Sequence, residues 1–194
     1  MSLAIVKLPA AGGATNGTVH VAVGGWSTSS TNFLVQYGEA YAGVFPGYDL
    51  LAIDYRGTGW STPTFSCFET QAEREAFFAS NPPMLGTGPD NFWARYERYE
   101  EFTKQCKKVG GDVGKYIGTY PTAHDYYKVA KADGRKKLSF WGVSSGTYVA
   151  QTIAFLFLRL LTSSSLTVSL PTLCNSRKRR VFRLAWVRTD GSFF

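Results

Sequence analysis

The chain has 194 residues, a length that suits one domain, and its 44% hydrophobic and 15% aromatic content excludes an intrinsically disordered polypeptide. The net charge of +7 does not point to nucleic acid once it is located. Residues 1–155 carry 14 Lys+Arg against 13 Asp+Glu, whereas residues 156–194 carry 7 against Asp190 alone, so the basicity belongs to the tail.

Three cysteines, Cys67, Cys106 and Cys174, match no zinc or Cys-x-x-Cys spacing, and nothing in the sequence calls for a metal or a cofactor. A Cys67–Cys106 bridge fits an oxidising compartment and three free thiols fit a reducing one; the count leaves both open. The N-terminus has no charged n-region and no long apolar core, so no signal peptide is expected there. Asn16-Gly17-Thr18 is a lone glycosylation triplet of a kind common by accident.

Residues 3–8 read as a strand and residues 9–17 as a turn. Thr18-Val19-His20-Val21-Ala22-Val23 is a second strand, apolar enough for a buried parallel sheet, and runs into Gly24-Gly25-Trp26-Ser27. Over residues 31–45, Phe33, Leu34, Tyr37, Ala40, Tyr41 and Val44 recur at helical spacing. Residues 48–54 form a third strand that closes on Tyr55-Arg56-Gly57-Thr58-Gly59-Trp60-Ser61. Residues 64–121 read as an insertion, with helical runs at 69–80 and 91–108 and a Pro/Gly-rich break over 81–88. Thr122-Ala123-His124-Asp125 opens a helix ending near Gly134.

The most informative stretch follows. Leu138-Ser139-Phe140-Trp141 is an apolar run of strand length that stops at Gly142, and a helix-forming run begins just after Ser144. Between them lies Gly142-Val143-Ser144-Ser145-Gly146, a Gly-x-Ser-x-Gly motif. A turn this tight leaves no room for a Cβ at Gly142 or Gly146. It strains the backbone of Ser144, lifts its Oγ clear of the sheet, and aims the N–H of Ser145 at a developing oxyanion. The bland alternative is a small-residue turn in which Ser144 merely caps the helix. The strand before it and the helix after it favour the nucleophile. The order strand–helix–strand–insertion–helix–strand–helix predicts parallel βαβ units and a doubly wound α/β sheet.

Three blocks, Gly24-Gly25-Trp26, Asp54-Tyr55-Arg56-Gly57-Thr58-Gly59-Trp60-Ser61 and Gly142–Gly146, fall in the order that resembles α/β-hydrolases. More narrowly they are similar to secreted tripeptidyl aminopeptidases and their prolyl-aminopeptidase relatives, as are the positions of Cys67, Cys106 and Tyr120-x-Thr122…Asp125. The resemblance covers residues 3–155. It implies a partial α/β-hydrolase, with a parallel sheet of about four strands flanked by helices. It also implies that Ser144 is the nucleophile, and that an N–H from Gly25 or Trp26 joins that of Ser145 in the oxyanion hole. Asp54 and Arg56 would brace the neighbouring loop. The implied substrate is a peptide N-terminus or a small ester or amide, with neither nucleic acid nor membrane as partner; the oligomeric state is not implied. The resemblance suggests secretion. Where that family has Gly-Gly-Pro-Gly, this chain has Gly24-Gly25-Trp26-Ser27.

In this fold the triad follows the order Ser…Asp/Glu…His, yet no histidine follows Ser144 and the sole later carboxylate is Asp190. His20 is expected inside a strand and His124 exposed on a helix, neither within reach of Ser144. The expected division is therefore residues 1–157 as the N-terminal part of a hydrolase domain and residues 158–194 as an atypical basic tail of mis-spliced or frame-shifted origin. The fragment would then be inactive, or non-catalytic altogether. Within 152–173, Arg159, the Ser163-Ser164-Ser165 cluster and Pro171 argue against a membrane span. The run Arg177-Lys178-Arg179-Arg180 has no aromatic interleaving of the kind a nucleic-acid groove uses. With no family sequence beyond residue 157, the strand at 138–142 is expected to become an exposed sheet edge unless the tail pairs with it in place of the missing strands.

Overall fold

A computed structural model describes residues 1–80, 89–134, 136–157, 161–170 and 183–186. The predicted break at 81–88, the basic run at 177–180 and Cys174 lie outside the described residues. The elements are strands β1 (Ile5–Leu8), β2 (Gly17–Ala22), β3 (Tyr48–Ile53), β4 (Leu138–Val143), β5 (Leu161–Leu170) and β6 (Arg183–Trp186). The helices are α1 (Ser30–Ala42), α2 (Gln71–Ala79), α3 (Pro89–Gly110), α4 (Thr119–Ala132) and α5 (Ser145–Leu156), with a 3-10 turn at Gly111–Tyr116.

The strands form one sheet in the order β1-β3-β2-β4-β5-β6. β3, β2, β4 and β5 run parallel, and the outer strands β1 and β6 run antiparallel to their neighbours. This is the parallel core of an α/β-hydrolase sheet, as the chain order implied.

Side-chain alternation divides the interior in two. Val19, Val21, Val23, Leu50 and Ala52 pack with Leu34 of α1 on one face. Ala22, Leu51, Ile53, Leu138 and Phe140 pack with Ala123, Tyr126, Val149 and Ile153 of α4 and α5 on the other. Strand residues i and i+2 share a face, so each strand feeds both cores at once, which is why the sequence reads as near-continuous apolar runs. Trp141 joins the α1 side, its ring 5.1 Å from Tyr41 and 6.2 Å from Phe45.

Of the two outcomes left open for the strand at 138–143, the tail substitutes: β5 pairs with it in parallel, from Phe140 opposite Leu166 to Val143 opposite Ser169. A central strand left with bare N–H and C=O groups recruits the next β-prone run, here Leu166-Thr167-Val168, whatever its origin. The first strand, β1, pairs antiparallel with β3 and so lies outside the parallel set.

At the starting ends of the parallel strands, Lys7 Nζ lies 2.8 Å from Asp133 and 3.1 Å from Asp49, and Thr18 Oγ1 donates to Asp133 at 2.9 Å. The hydrogen bond to Asp133 is the main reason the Lys7 pKa is raised. In the insertion, Cys67 and Cys106 are disulfide-bonded across 39 residues of chain. Phe68, Phe77, Phe78 and Phe102 cluster beside the bridge with ring centroids 5.2 to 6.1 Å apart, and the Arg98 guanidinium lies 3.6 Å above Phe77. Among the described residues no helix is long and apolar enough to cross a membrane.

Candidate active site

All the predicted site residues except the disulfide pair gather where β2, β3 and β4 end. Ser144 joins β4 to α5 with φ 52° and ψ −117°, and no other non-glycine among the described residues has positive φ. Such a backbone costs on the order of 1–3 kcal/mol and persists only where surrounding contacts impose it. Although Ser144 holds the N-cap position of α5, its side chain makes no capping hydrogen bond. It is exposed. The alternative in which the serine merely caps a helix therefore lacks the bond that would define it.

The glycines around it have no space to spare. A Cβ on Gly142 would lie 2.5 Å from the carbonyl oxygen of Gly146, and one on Gly146 would collide with the carbonyl of Ala22. The turn is thus closed by backbone on backbone, β4 against α5 and α5 against β2.

Gly24 abuts Ser144 from the neighbouring strand end. Gly25 follows at φ +85° and accepts at its carbonyl from the N–H of Thr28, 3.2 Å away, in a tight turn. Trp26 sits in that turn, nearly half exposed, its ring 6.0 Å from that of Tyr55. Tyr55 is buried, and desolvation pushes its phenol pKa well up, so the hydroxyl keeps its proton at neutral pH. Ser145 opens α5, where first-turn N–H groups have no intrahelical acceptor and the helix dipole favours negative charge.

Asp54 is fully buried at the end of β3. One carboxylate oxygen accepts from the N–H of Thr31 at 2.9 Å; the other accepts from Thr31 Oγ1 and the N–H of Trp60, both at 2.9 Å, and Ser29 Oγ lies 3.0 Å from each. Asp54 therefore caps α1 from outside the helix and stitches it to the 57–60 turn. Gly59, at φ +54°, presses so closely on Asp54 Oδ2 that no side chain fits. Arg56 forms a fork with Asp125 of α4, Nε to Oδ2 at 2.6 Å and Nη2 to Oδ1 at 2.7 Å. That pair raises the Arg56 pKa further. Asp125 was legible as part of a helix start but not as the acceptor for Arg56, because nothing in one sequence couples positions 69 residues apart.

Neither histidine is placed to serve Ser144. His20 is buried on β2, Nδ1 3.3 Å from the Ser139 carbonyl and in register with Phe140. Phe140 precedes Ser144 by four residues, roughly 13 Å of strand, well beyond hydrogen-bond reach. His124 is half-buried rather than exposed. Its ring packs edge-on to Phe157 at 5.0 Å and lies 4.7 Å from Tyr120, because aromatic surface on both sides draws it in. Phe157 follows the end of α5, about 18 Å of helix away from Ser144.

No family model matches the chain. It is 32% identical over 117 residues to a tripeptidyl aminopeptidase of Streptomyces lividans, covering 60% of this chain and 21% of that protein. It is 30% identical over 133 residues to carboxylesterase B of Mycobacterium tuberculosis, covering 67% of this chain and 25% of that one. Among solved structures it is similar to esterase PE8, with a TM-score of 0.39 and 16% identity over 79% of this chain and 58% of the other. The chain spans about a quarter or less of the sequence relatives it matches. The parallel order β3-β2-β4 with a glycine-flanked serine turn at the end of β4 gives the chain the fold of a partial α/β-hydrolase.

Proposed function

We propose that this chain carries the nucleophile-bearing part of a serine hydrolase that cleaves amide bonds at peptide N-termini. The observation behind this is the positive-φ backbone of an exposed, uncapped Ser144 set against Gly24. In the proposed reaction Oγ attacks the scissile carbonyl and a C–O bond forms as the hydroxyl proton passes to a base. The carbonyl electrons collect on an oxyanion held by the N–H of Ser145 and one from Gly25 or Trp26. The amine then leaves with a proton, and water releases the acid. The likeness to the Streptomyces tripeptidyl aminopeptidase supports the peptidase class. The likeness to carboxylesterase B supports a second reading, an esterase built on the same nucleophile.

No imidazole among the described residues is placed to take the proton. Loss of a triad member costs up to about a million-fold in kcat, so the 194-residue chain by itself should turn over peptides hardly at all. A fluorophosphonate probe with mass mapping tests the nucleophile directly. In a protein that also supplies the base, labelling at Ser144, absent from Ser144→Ala, is expected; such a protein that folds yet stays unlabelled would favour a non-catalytic reading. Comparing tripeptide anilides with p-nitrophenyl esters, in a protein that also supplies the base, separates peptidase from esterase.

A further inference from the structure

The peptide joining Ser144 to Ser145 has two functions to perform at once. Its C=O and N–H belong to one rigid trans unit and point in opposite directions. Whatever fixes the carbonyl of Ser144 therefore fixes the direction of the Ser145 N–H. That carbonyl is held twice by one residue: Thr147 donates to it from its backbone N–H at 3.0 Å and from its side-chain Oγ1 at 2.6 Å. Thr147 is fully buried within the first turn of α5. Its neighbour Gly146 abuts the carbonyl of Ala22, which seats this turn of α5 against β2.

We infer that Thr147 is a positioning residue for the oxyanion hole: its hydroxyl pulls the Ser144 carbonyl into α5 and so turns the Ser145 N–H outward. The inference rests on the proposed hydrolase reading for its chemical consequence but not for its geometry. A threonine hydroxyl bonded to the carbonyl three residues back is often just a helical side chain satisfying itself. Here the accepting carbonyl belongs to the positive-φ residue, so the bond acts on the strained peptide rather than on an ordinary turn. The Thr147 N–H alone leaves that plane free to rock about its single bond; the second donor removes the freedom.

Thr147→Val keeps the shape and removes the hydroxyl, and Thr147→Ser restores it. Two readouts on the full chain test the assignment. The second-order rate of fluorophosphonate labelling at Ser144 should fall about tenfold in Thr147→Val and return in Thr147→Ser, since the phosphonyl oxygen occupies the oxyanion position. Independently, the amide proton and nitrogen resonances of Ser145 should move in Thr147→Val and return in Thr147→Ser. Valine labelling as fast as wild type, or an unmoved Ser145 amide in a folded Thr147→Val chain, overturns the inference. Where the wild-type chain, lacking a base, labels too slowly to measure, the amide resonances alone decide the inference, and the hydrolase reading is tested separately in a protein that supplies the base. Should Thr147→Val fail to fold, Thr147→Ala and Thr147→Ser are compared in the same two measurements, and an alanine variant matching serine in both counts against it.

Discussion

A Cβ placed on Gly24 would stand 2.6 Å from the Cβ of Ser144 and 3.1 Å from its Oγ. Real Cβ atoms do not approach one another so closely, and the neighbour is a short side chain on strained backbone with nowhere to turn. Gly24→Ala should therefore cost about 1–3 kcal/mol of stability. It should also abolish labelling at Ser144, even where the chain still folds. Thermal melts alongside probe labelling check both effects; a folded variant that labels normally would mean that Ser144 does not face the 24–26 turn.

Asp54 gathers donors from Ser29, Thr31 and Trp60 with no exposure to solvent. Asp54→Ala strands these donors, each at about 1–3 kcal/mol before relaxation. A total loss of about 3–5 kcal/mol is expected, measured as a shift of the urea midpoint. Asp54→Asn should fall between, since one oxygen remains but an NH2 now faces N–H groups.

The Arg56–Asp125 fork is only partly open to solvent, with side-chain exposures of 20% and 8%. Arg56→Lys keeps the charge and loses the second hydrogen bond, so a cost of about 1–2 kcal/mol is expected. A double-mutant cycle with Asp125→Asn should return a coupling of about 1–3 kcal/mol. Additive effects would show that the two side chains act separately.

The Cys67–Cys106 bridge closes a loop of 39 residues, and loop-closure entropy of that size corresponds to about 4 kcal/mol. Reduction, or replacement of both cysteines by serine, should lower the unfolding midpoint. It should also loosen the Phe68–Phe77–Phe102 cluster first, detectable as near-UV circular dichroism lost before the far-UV signal.

Alkali should unfold the chain progressively. Lys7, Tyr55, Arg56 and Tyr126 all have their pKa values raised above the ordinary ones. For each group the native state holds its proton more tightly than the unfolded chain does. The resulting stability is complete below the ordinary values, 10.5 for lysine and 10.0 for tyrosine, and drains away above them. Burial is the chief cause at Tyr126, whose hydroxyl donates to the Val21 carbonyl at 3.3 Å. Melting temperature plotted against pH should be level near neutrality and fall from about pH 10 upward. A fall beginning at pH 8 would implicate other groups.

Much of this arrangement was legible beforehand, because local chemistry dictates it. Apolar runs at 18–23, 48–53 and 138–143 could only be buried strands, and Gly142 and Gly146 could only flank a turn too tight for side chains. Asp54 was legible as a brace, but its acceptor role toward Thr31 was not, since that depends on how α1 docks against β3. The fate of the residues after 157 was the least legible. Leu166-Thr167-Val168 is β-prone, but only the open side of β4 gives the Ser/Thr-rich run before it a reason to extend. His124 misled for a similar cause: polarity suggested solvent, while Phe157 and Tyr120 supplied a lining.

With β2 on one flank and β5 on the other, β4 has its amides engaged on both sides. In heavy water its backbone deuterons should arrive among the last in the molecule, and the seryl oxygen hangs from the end of that slowest-exchanging rod. Under the proposed hydrolase reading, the attacking atom is therefore not what has to travel; the approaching carbonyl must come to it.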